Sequence, residues 1–240
     1  MTAPMPTSAA RPPVIWSIAG LDTAGGAGLS ADQRAADALG VHLCPVAACL
    51  TAQHSQGVVS IHPVSVDVLH AQLEALATDL PPRAIKTGLL GDVALIRTVA
   101  QWVDRLRQQT PAGTDPHRHV ALVVDPVLKA CAGGAPFASE AVVAAYREWL
   151  LPRATLVTPN RAEAEALCGP ADAPRSLQTL ARQLTAQGAQ AAAITGGDAQ
   201  AVGLSEAIAH QDQALAIDWL HAPHAQGWLC APRVDTAHTH

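Results

Sequence analysis

The stretch GLDTAGGAGLSAD, residues 20–32, places four glycines and two aspartates within thirteen positions. It follows the apolar run VIWSIA (Val14–Ala19), which is typical of a strand, and leads into a helical pattern over Ser30–Leu39. A strand that opens through glycines into a helix usually holds a small ligand, because glycines let the backbone approach it closely. The stretch therefore predicts an α/β fold with a ligand at the end of its first strand.

The glycine loop does not fit the common nucleotide-binding fingerprints. Gly26–Ala31 matches G-x-G-x-x-A, but that fingerprint needs its glycines directly after the strand and an acidic residue about twenty positions on. Here Asp22–Ala24 intervene, and no acidic residue lies between Asp37 and Asp67, so we exclude a nicotinamide cofactor. The P-loop sequence is also absent. The carboxylate of Asp22 can accept hydrogen bonds from a substrate or cap the following helix, and the sequence leaves both interpretations open.

Apolar runs of strand length alternate with longer helical patterns along the rest of the chain. Strands are predicted at Val14–Ala19, His42–Leu50, Val58–Ile61, Arg83–Lys86, Val120–Val124, Thr155–Val157 and Ala191–Thr195. Helices are predicted at Ser30–Leu39, Val66–Leu80, Val93–Gln108, Ser139–Leu150, Ala162–Leu167 and Leu177–Ala186. The last stretch, Val202–Asp235, alternates more weakly and predicts antiparallel segments. The alternation predicts a three-layer α/β fold with a central, mostly parallel sheet and helices on both faces.

Polar and glycine residues collect directly after the predicted strands. They are Gly20–Asp22, Thr51–Gln53, Thr87–Leu90, Asp125–Pro126, Thr158–Asn160 and Gly196–Asp198. Ligands of open parallel sheets bind outside the carboxyl ends of the strands. These six segments therefore predict one binding cleft along that edge.

Composition excludes several classes of protein. The chain has 240 residues, 49% of them hydrophobic, which suits one α/β domain with its own core. Its net charge of -5 argues against a nucleic-acid partner, and no apolar run is long enough to predict a membrane partner. Five scattered cysteines without a CxxC pattern fit buried thiols of a cytoplasmic protein. Residues 1–13 lack the apolar core of a signal peptide and predict a flexible leader.

Several strand-end motifs together resemble one family. They are GLDTAGGAGLSADQRAADALGV (20–41), CLTAQHSQGV (49–58), IKTGLLG (85–91), VVDPVL (123–128), LLPRATLVTPNRAEAEAL (150–167) and PRVDTAHTH (232–240). In this order they are similar to the hydroxymethylpyrimidine/phosphomethylpyrimidine kinases of thiamine biosynthesis, which are ribokinase-like small-molecule kinases. The resemblance implies a ribokinase-like fold, ATP as co-substrate, Mg²⁺ as cofactor and a small pyrimidine as substrate.

The resemblance also implies a role for individual residues. The implied roles are pyrimidine binding for Gly20, Asp22 and Gln53, binding of ATP and its phosphates for Asn160, Thr195 and Gly197, and Mg²⁺ binding for Asp125 and Glu163. Elementary chemistry agrees in part. A glutamine amide offers both a donor and an acceptor to an aminopyrimidine, and Mg²⁺ takes one or two carboxylates together with phosphate oxygens.

Several of these residues also have a plainer structural interpretation, whereas the position of Asp125 favours a cation. Gln53 can be an ordinary loop amide. Asn160 and Glu163 have the spacing of a helix-capping box, which is compatible with metal binding as well. Asp125 ends the most apolar strand, where an unpaired carboxylate is costly and a cation would relieve that cost.

Other positions depart from the family pattern. Many relatives carry lysine where this chain has Thr195, so a charge that would face the phosphates is lost. Lys86 can simply extend to the surface. The stretch Cys131–Gly133 replaces a more polar segment.

In the family, the segment that corresponds to His238–His240 continues into G-T-G followed by cysteine or aspartate, which supplies an anion hole and the proposed catalytic base. We expect that motif beyond His240 and assign no catalytic base. The expected unit is a single kinase domain over 14–240 that lacks this motif and the closing helices.

Two other functions stay open at this point. One is a pyridoxal-type kinase of the same fold, and the other is a non-catalytic pyrimidine sensor. The sequence also leaves a homodimer open.

Overall fold

A single nine-stranded sheet runs through the part of the chain that the computed structural model describes, namely residues 12–54, 56–109, 120–128, 138–196, 215–232 and 234. The strands are β1 Val14–Leu21, β2 His42–His54, β3 Gly57–Pro63, β4 Ala84–Thr87, β5 Ala121–Val124, β6 Leu156–Val157, β7 Ala192–Thr195, β8 Leu215–Ala222 and β9 Ala225–Pro232. The α-helices are α1 Gly28–Ala38, α2 Val66–Asp79, α3 Val93–Gln108, α4 Glu140–Ala145, α5 Arg161–Cys168 and α6 Leu177–Ala186. Predictions for 1–11, 131–133, Gly197 and 235–240 lie outside the described residues.

The strand order is β3-β2-β1-β4-β5-β6-β7-β8-β9. The six strands from β2 to β7 in this order pair in parallel, so their carboxyl ends share one edge of the sheet. The outer strands β3, β8 and β9 pair antiparallel. The prediction of a mostly parallel sheet is confirmed. The prediction of antiparallel segments near the end of the chain is confirmed for β8 and β9.

Helices cover both faces of the sheet, as β1 shows directly. Its fully buried Trp16 points to one face, where the indole Nε1 donates to the carbonyl oxygen of Leu80 at the end of α2. The next residue, Ser17, points to the other face and donates to Asp32 on α1. Alternate side chains of a strand must face opposite ways, so these contacts place α1 and α2 in different layers.

With only 3% aromatic residues, the core is mainly aliphatic. Its largest fully buried side chains are Trp16, Tyr146, Ile18, Leu69, Leu73, Ile85, Leu90, Leu95, Ile96, Leu122, Leu150 and Leu151. Among the described residues, no helix combines the length and the hydropathy needed to cross a bilayer.

The helix predicted over Ser139–Leu150 is not one continuous α-helix. Ser139 caps α4, which ends at Ala145, and a π-helical turn over Tyr146–Leu150 and a 3₁₀ turn over Leu151–Arg153 follow. Pro152 supplies a reason, because proline has no N–H to donate and its ring clashes with the carbonyl group four residues earlier in an α-helix. In the structure, Leu151 donates its backbone N–H to the carbonyl oxygen of Tyr146, five residues earlier, and Pro152 lies in the 3₁₀ turn that follows.

The glycine loop ends in a close contact between Gly28 and the end of β1. Gly28 has φ +54°, and a Cβ atom there would lie 2.2 Å from the carbonyl oxygen of Gly20. Only glycine fits this approach, which starts α1 directly against the strand. Gly25, in the same loop, has φ +74°, but a Cβ atom there would meet no other atom within 4 Å.

These two glycines make a matched pair for mutation. Gly28→Ala should lower the free energy of unfolding by about 3 kcal/mol or more, because it adds a backbone clash to the strain of a left-handed conformation, whereas Gly25→Ala should cost about 1 kcal/mol. Urea unfolding followed by circular dichroism measures both. Equal losses in the two variants would show that the close approach to Gly20 does not constrain the fold.

Candidate active site

The carboxylate of Asp22 organises the glycine loop. Its Oδ1 accepts the backbone N–H of Ala24, and its Oδ2 accepts those of Gly26 and Ala27, each at 2.8 Å. Asp22 is buried, and it closes the loop rather than capping α1, whose N-cap residue is Ala27. Three of the roughly four acceptor positions of the carboxylate are thus used, which leaves capacity for one further donor.

A hydrogen-bonded clasp holds Gln53 beside this loop. The hydroxyl of Thr23 donates to the carbonyl oxygen of Gln53 at 2.7 Å and accepts its backbone N–H at 2.9 Å. Gln53 lies where the pairing of β2 with β3 shifts register, at an irregularity between Ala52 and Gln53. The clasp uses only backbone atoms of Gln53 and leaves its half-buried side-chain amide for other contacts.

Lys86, at the end of β4, lies between two carboxylates. Its Nζ is 2.9 and 3.1 Å from the two carboxylate oxygens of Asp32 and 3.8 Å from Oδ2 of Asp125. Ser17 donates to Asp32 at 2.5 Å and steadies that carboxylate. Lys86 therefore does not simply extend to the surface: it connects α1 to the residue that follows β5.

Asp32 and the pairing of Lys86 were missed from sequence, although two signals were present. Asp32 stands three residues after Leu29 and four before Ala36, both buried, so it shares their side of α1. Lys86 alternates with the buried Ile85 and so faces the opposite layer, where α1 lies. A charged residue on the inward-facing side of both α1 and β4 indicates that each has a partner of opposite charge nearby.

Asp125 presents its carboxylate at the middle of the edge. Its backbone N–H donates to the carbonyl oxygen of Thr87, which fixes the residue beside β4, and 34% of its side chain is exposed. Burial raises the pKa of Asp125; the charge of Lys86 opposes this rise and that of Asp32 adds to it. Two carboxylates and one ammonium therefore leave a negative excess here.

Asn160 and Glu163 form the predicted capping box at the start of α5. Asn160 Oδ1 accepts the backbone N–H of Glu163, and Glu163 Oε2 accepts that of Asn160, both at 2.9 Å. Glu163 Oε1 also accepts the N–H of Leu128 at 3.2 Å, so the residue ties α5 to the segment after Asp125. Burial raises the pKa of Glu163 to about 7, although these N–H donors partly offset the effect.

Thr195 ends β7 next to this helix. Its backbone N–H donates to the carbonyl oxygen of Pro159 at 3.0 Å, and it bridges Asn160 in parallel. The N–H of Gly196 donates to Asp218 on β8, and a Cβ atom on Gly196 would lie 2.4 Å from the carbonyl oxygen of Ile217. The exposed Thr195 thus lies beside Asn160, while Gly197 lies outside the described residues.

The described site residues therefore lie along one edge. Contacts that connect neighbouring segments are Thr23–Gln53, Lys86–Asp32, Lys86–Asp125, Leu128–Glu163 and Asn160–Thr195. From β2 to β7 there are five strand spacings, which amount to about 24 Å. Asp22 and Gln53 lie toward one end of this edge and Asn160 and Thr195 toward the other, with Asp125 between them.

Residues 22–240 match the family model described as phosphomethylpyrimidine kinase. The chain belongs to the phosphomethylpyrimidine kinase family. It is 37% identical over 227 residues to a hydroxymethylpyrimidine/phosphomethylpyrimidine kinase of Haemophilus influenzae, a match that covers 94% of this chain and 77% of the relative. The relatives named in this family are kinases, so the chain belongs to a family of phosphotransferases that use ATP as co-substrate.

Solved structures of two related kinases share the fold. A pyridoxal kinase of Bacillus subtilis, solved as an ADP complex, has a TM-score of 0.74 and 26% identity, with 95% of this chain and 78% of that one covered. A phosphomethylpyrimidine kinase of Clostridium difficile has a TM-score of 0.70 and 25% identity, with coverages of 90% and 83%. The prediction of a ribokinase-like fold for this member of the phosphomethylpyrimidine kinase family is confirmed.

The carboxylates that the phosphomethylpyrimidine kinase resemblance assigns to Mg²⁺ differ in how well they fit a metal ion. Asp125 is partly exposed and forms an ion pair with Lys86 at 3.8 Å, longer than a direct hydrogen bond between charged groups. Glu163 is 7% exposed, and each of its oxygens already accepts a backbone N–H. No cluster of three His, Cys, Asp or Glu side chains occurs within the described ranges. A site with few carboxylates, completed by water and phosphate oxygens, fits the habit of Mg²⁺.

Tyr146 supports the site from the helical layer and was also missed from sequence. It is fully buried in the π turn after α4, and its hydroxyl donates to the carbonyl oxygen of Gly88, in the segment after β4. Burial raises the pKa of Tyr146, so the group stays a neutral donor. Tyr146 is the one tyrosine of the chain, and the sequence around it predicts a helix but not a contact with the segment after β4.

Glu163 makes stability depend on pH in a defined direction. Its pKa in the folded protein, about 7, is above its ordinary value of 4.5, so the folded state binds the proton more tightly than the unfolded state does. The stabilising effect of the protonated group is complete below pH 4.5 and is lost as pH rises to about 7. Relative to Glu163→Gln, the wild type should lose about 3 kcal/mol of unfolding free energy across this window.

Urea unfolding of both proteins at pH 4.5, 5.5, 6.5 and 7.5 measures this difference. Glu165→Gln, which removes the more exposed carboxylate of the same helix, corrects for the change in net charge. A constant difference between wild type and Glu163→Gln at all four values would contradict the assigned environment of Glu163.

Proposed function

We propose that this chain transfers the γ-phosphoryl group of ATP to the hydroxymethyl group of 4-amino-5-hydroxymethyl-2-methylpyrimidine, and then phosphorylates the monophosphate to the diphosphate. Family membership over residues 22–240 carries the proposal. The continuous strand edge supports it, because one end offers groups that suit a pyrimidine and the other groups that suit a nucleotide. In the first transfer, the hydroxymethyl group gives up its proton to a base for which no residue is assigned, its oxygen bonds to the γ-phosphorus, the bond from that phosphorus to the β–γ bridging oxygen breaks, and ADP leaves.

The pyrimidine is proposed to bind at Gly20, Asp22 and Gln53. The one unused acceptor position of Asp22 suits an exocyclic amine, and the amide of Gln53 suits an amine beside a ring nitrogen. Gly20 is buried at the end of β1, and its Cα faces Leu89, which follows β4.

The nucleotide is proposed to bind at Asn160, Thr195 and Gly197. The first turn of α5 points its partial positive charge to the same edge, and helix N-termini favour phosphate. The hydroxyl of the exposed Thr195 can donate to a phosphate oxygen, but it supplies no positive charge.

Asp125 and Glu163 are proposed to hold Mg²⁺. Asp125 offers its open oxygens, while Glu163 acts through water because its oxygens accept backbone N–H groups. When bound, the ion neutralises charge on the transferring phosphoryl group. Beyond that, the chain itself works by positioning: the Asp22 loop and the α5 cap hold the two substrates at defined places on one edge.

A pyridoxal-type kinase is a second candidate, because solved structures of pyridoxal kinases share the fold of this chain. Its substrate is also a hydroxymethyl heteroaromatic ring, so the fold alone does not separate the two.

Side-by-side kinetics decides between the substrates. With ATP and Mg²⁺, kcat/KM should be at least about tenfold higher for the hydroxymethylpyrimidine than for pyridoxal. Only the hydroxymethylpyrimidine has an exocyclic amine that can donate to Asp22 and Gln53. A higher value for pyridoxal would favour the second candidate. Calorimetric binding of the pyrimidine without any ATP turnover would instead indicate a sensor.

Gln53→Ala tests the pyrimidine end. It should raise KM for the pyrimidine about tenfold while changing KM for ATP by less than about twofold, because one side-chain hydrogen-bonding group to the ring is lost. The clasp with Thr23 uses backbone atoms and should survive the change. Gln56→Ala, the same change at an exposed position in the following turn, is the control. Equal effects of Gln53→Ala on both KM values would refute the assignment.

A further inference from the structure

A half-buried ionic cluster at the carboxyl ends of β4 and β5 has a part that the proposed function does not use. Lys86 makes close contacts of 2.9 and 3.1 Å with Asp32 but stops 3.8 Å from Asp125. A direct hydrogen bond between charged groups is about 2.8 Å long. The ammonium is therefore hydrogen-bonded to Asp32 and makes a longer ion pair with Asp125.

Three features fix this asymmetry. Ser17 donates to Asp32 and holds the carboxylate on the side of α1. A Cβ atom on Gly88 would lie 3.2 Å from Nζ of Lys86, so the absence of a side chain there leaves room for the ammonium. The side chains of Lys86 and Asp32 are 27% and 20% exposed, which limits the access of water that could replace either contact.

A purely stabilising role explains this arrangement poorly. Half-buried ion pairs pay a desolvation cost that offsets much of their attraction, and apolar side chains often stabilise a fold as well. The cluster holds two carboxylates and one ammonium, and its least neutralised member is Asp125. Its geometry thus favours the binding of a further cation at Asp125.

We propose that Asp32 is a positioning residue that restrains Lys86 and so keeps the carboxylate of Asp125 open to a divalent cation. Without Asp32, the ammonium would move the remaining distance to Asp125 and form a direct ion pair that competes with the cation. Without Lys86, no competitor exists, and both carboxylates attract the cation. The inference rests on the proposed role of Asp125 in holding Mg²⁺.

A double-mutant cycle tests the inference without relying on turnover. The measured quantity is the Kd of Mn²⁺ in the presence of ADP, obtained from the electron paramagnetic resonance signal of free Mn²⁺. Asp32→Asn should weaken Mn²⁺ binding about tenfold, because a charge-assisted contact to Asp125 must be broken. Lys86→Met should bind Mn²⁺ at least as tightly as the wild type. The double variant Asp32→Asn/Lys86→Met should recover the wild-type Kd within about threefold.

The recovery distinguishes positioning from a structural role. If Asp32 only stabilised the fold, removing Lys86 as well would leave Mn²⁺ binding as weak as in Asp32→Asn or weaker. Ser17→Ala is a milder second variant, which should shift the Kd in the same direction by a smaller factor. Asp104→Asn, which removes a carboxylate paired with Arg153 elsewhere, should leave Mn²⁺ binding unchanged.

Kinetics adds a second readout. In Asp32→Asn, KM for Mg·ATP should rise while the affinity for the pyrimidine alone, measured by calorimetry, stays within about twofold. An unchanged Mn²⁺ Kd in Asp32→Asn, or a double variant no tighter than Asp32→Asn, would overturn the positioning role alone. A wild type that binds no Mn²⁺ with ADP and phosphorylates no pyrimidine would overturn the proposed function together with it.

Discussion

The contact between Gly28 and the carbonyl oxygen of Gly20 constrains everything that follows along the strand edge. Because a Cβ atom has no room there, α1 begins directly against the end of β1. One turn later, Asp32 reaches Ser17 on that strand and Lys86 on the next one. The three N–H groups that Asp22 accepts hold the intervening loop closed. The position of Asp32 on α1 therefore depends on Gly28 and on its close approach to Gly20.

The sequence predicted that several candidate residues at or just after strand ends would lie at one edge of the sheet, although their roles remain a prediction. Asp125, Asn160 and Thr195 could be placed together because parallel strands bring their carboxyl ends to one edge, whatever their separation along the chain. Helix boundaries such as Val93–Gln108 and Leu177–Ala186 were also predicted as observed, since their apolar spacing and flanking caps agree. Local pattern and fold topology therefore suffice where chemistry sits at the end of an element.

Prediction failed where the partner is set by packing between layers. Asp32 and Lys86 are 54 positions apart, and only the crossing of α1 over β1 and β4 brings them into contact. The apolar pattern of Ser139–Leu150 likewise predicts a helix but not its π turn, because apolar spacing does not reveal a local shift to hydrogen bonds between residues five apart. Asp22 could be interpreted as a cap or a ligand, since its three N–H partners depend on glycine conformations that periodicity does not reveal.

The balance of charge at this edge is consistent with the proposed cation. Among its described residues, Asp22, Asp32, Asp125 and Glu163 are acidic, and Lys86 is already engaged by two of them. Arg161, at the start of α5, is paired with Glu165 and with the carbonyl oxygen of Arg175, and Lys129 lies outside the described residues. If the proposed nucleotide binds at this edge, Thr195 supplies no charge to its phosphates, which leaves backbone N–H groups and the proposed divalent ion to offset their charge. The proposed cation site at Asp125 would require that Lys86 does not form a direct ion pair with that carboxylate, and the closer contact of Lys86 with Asp32 is consistent with this requirement.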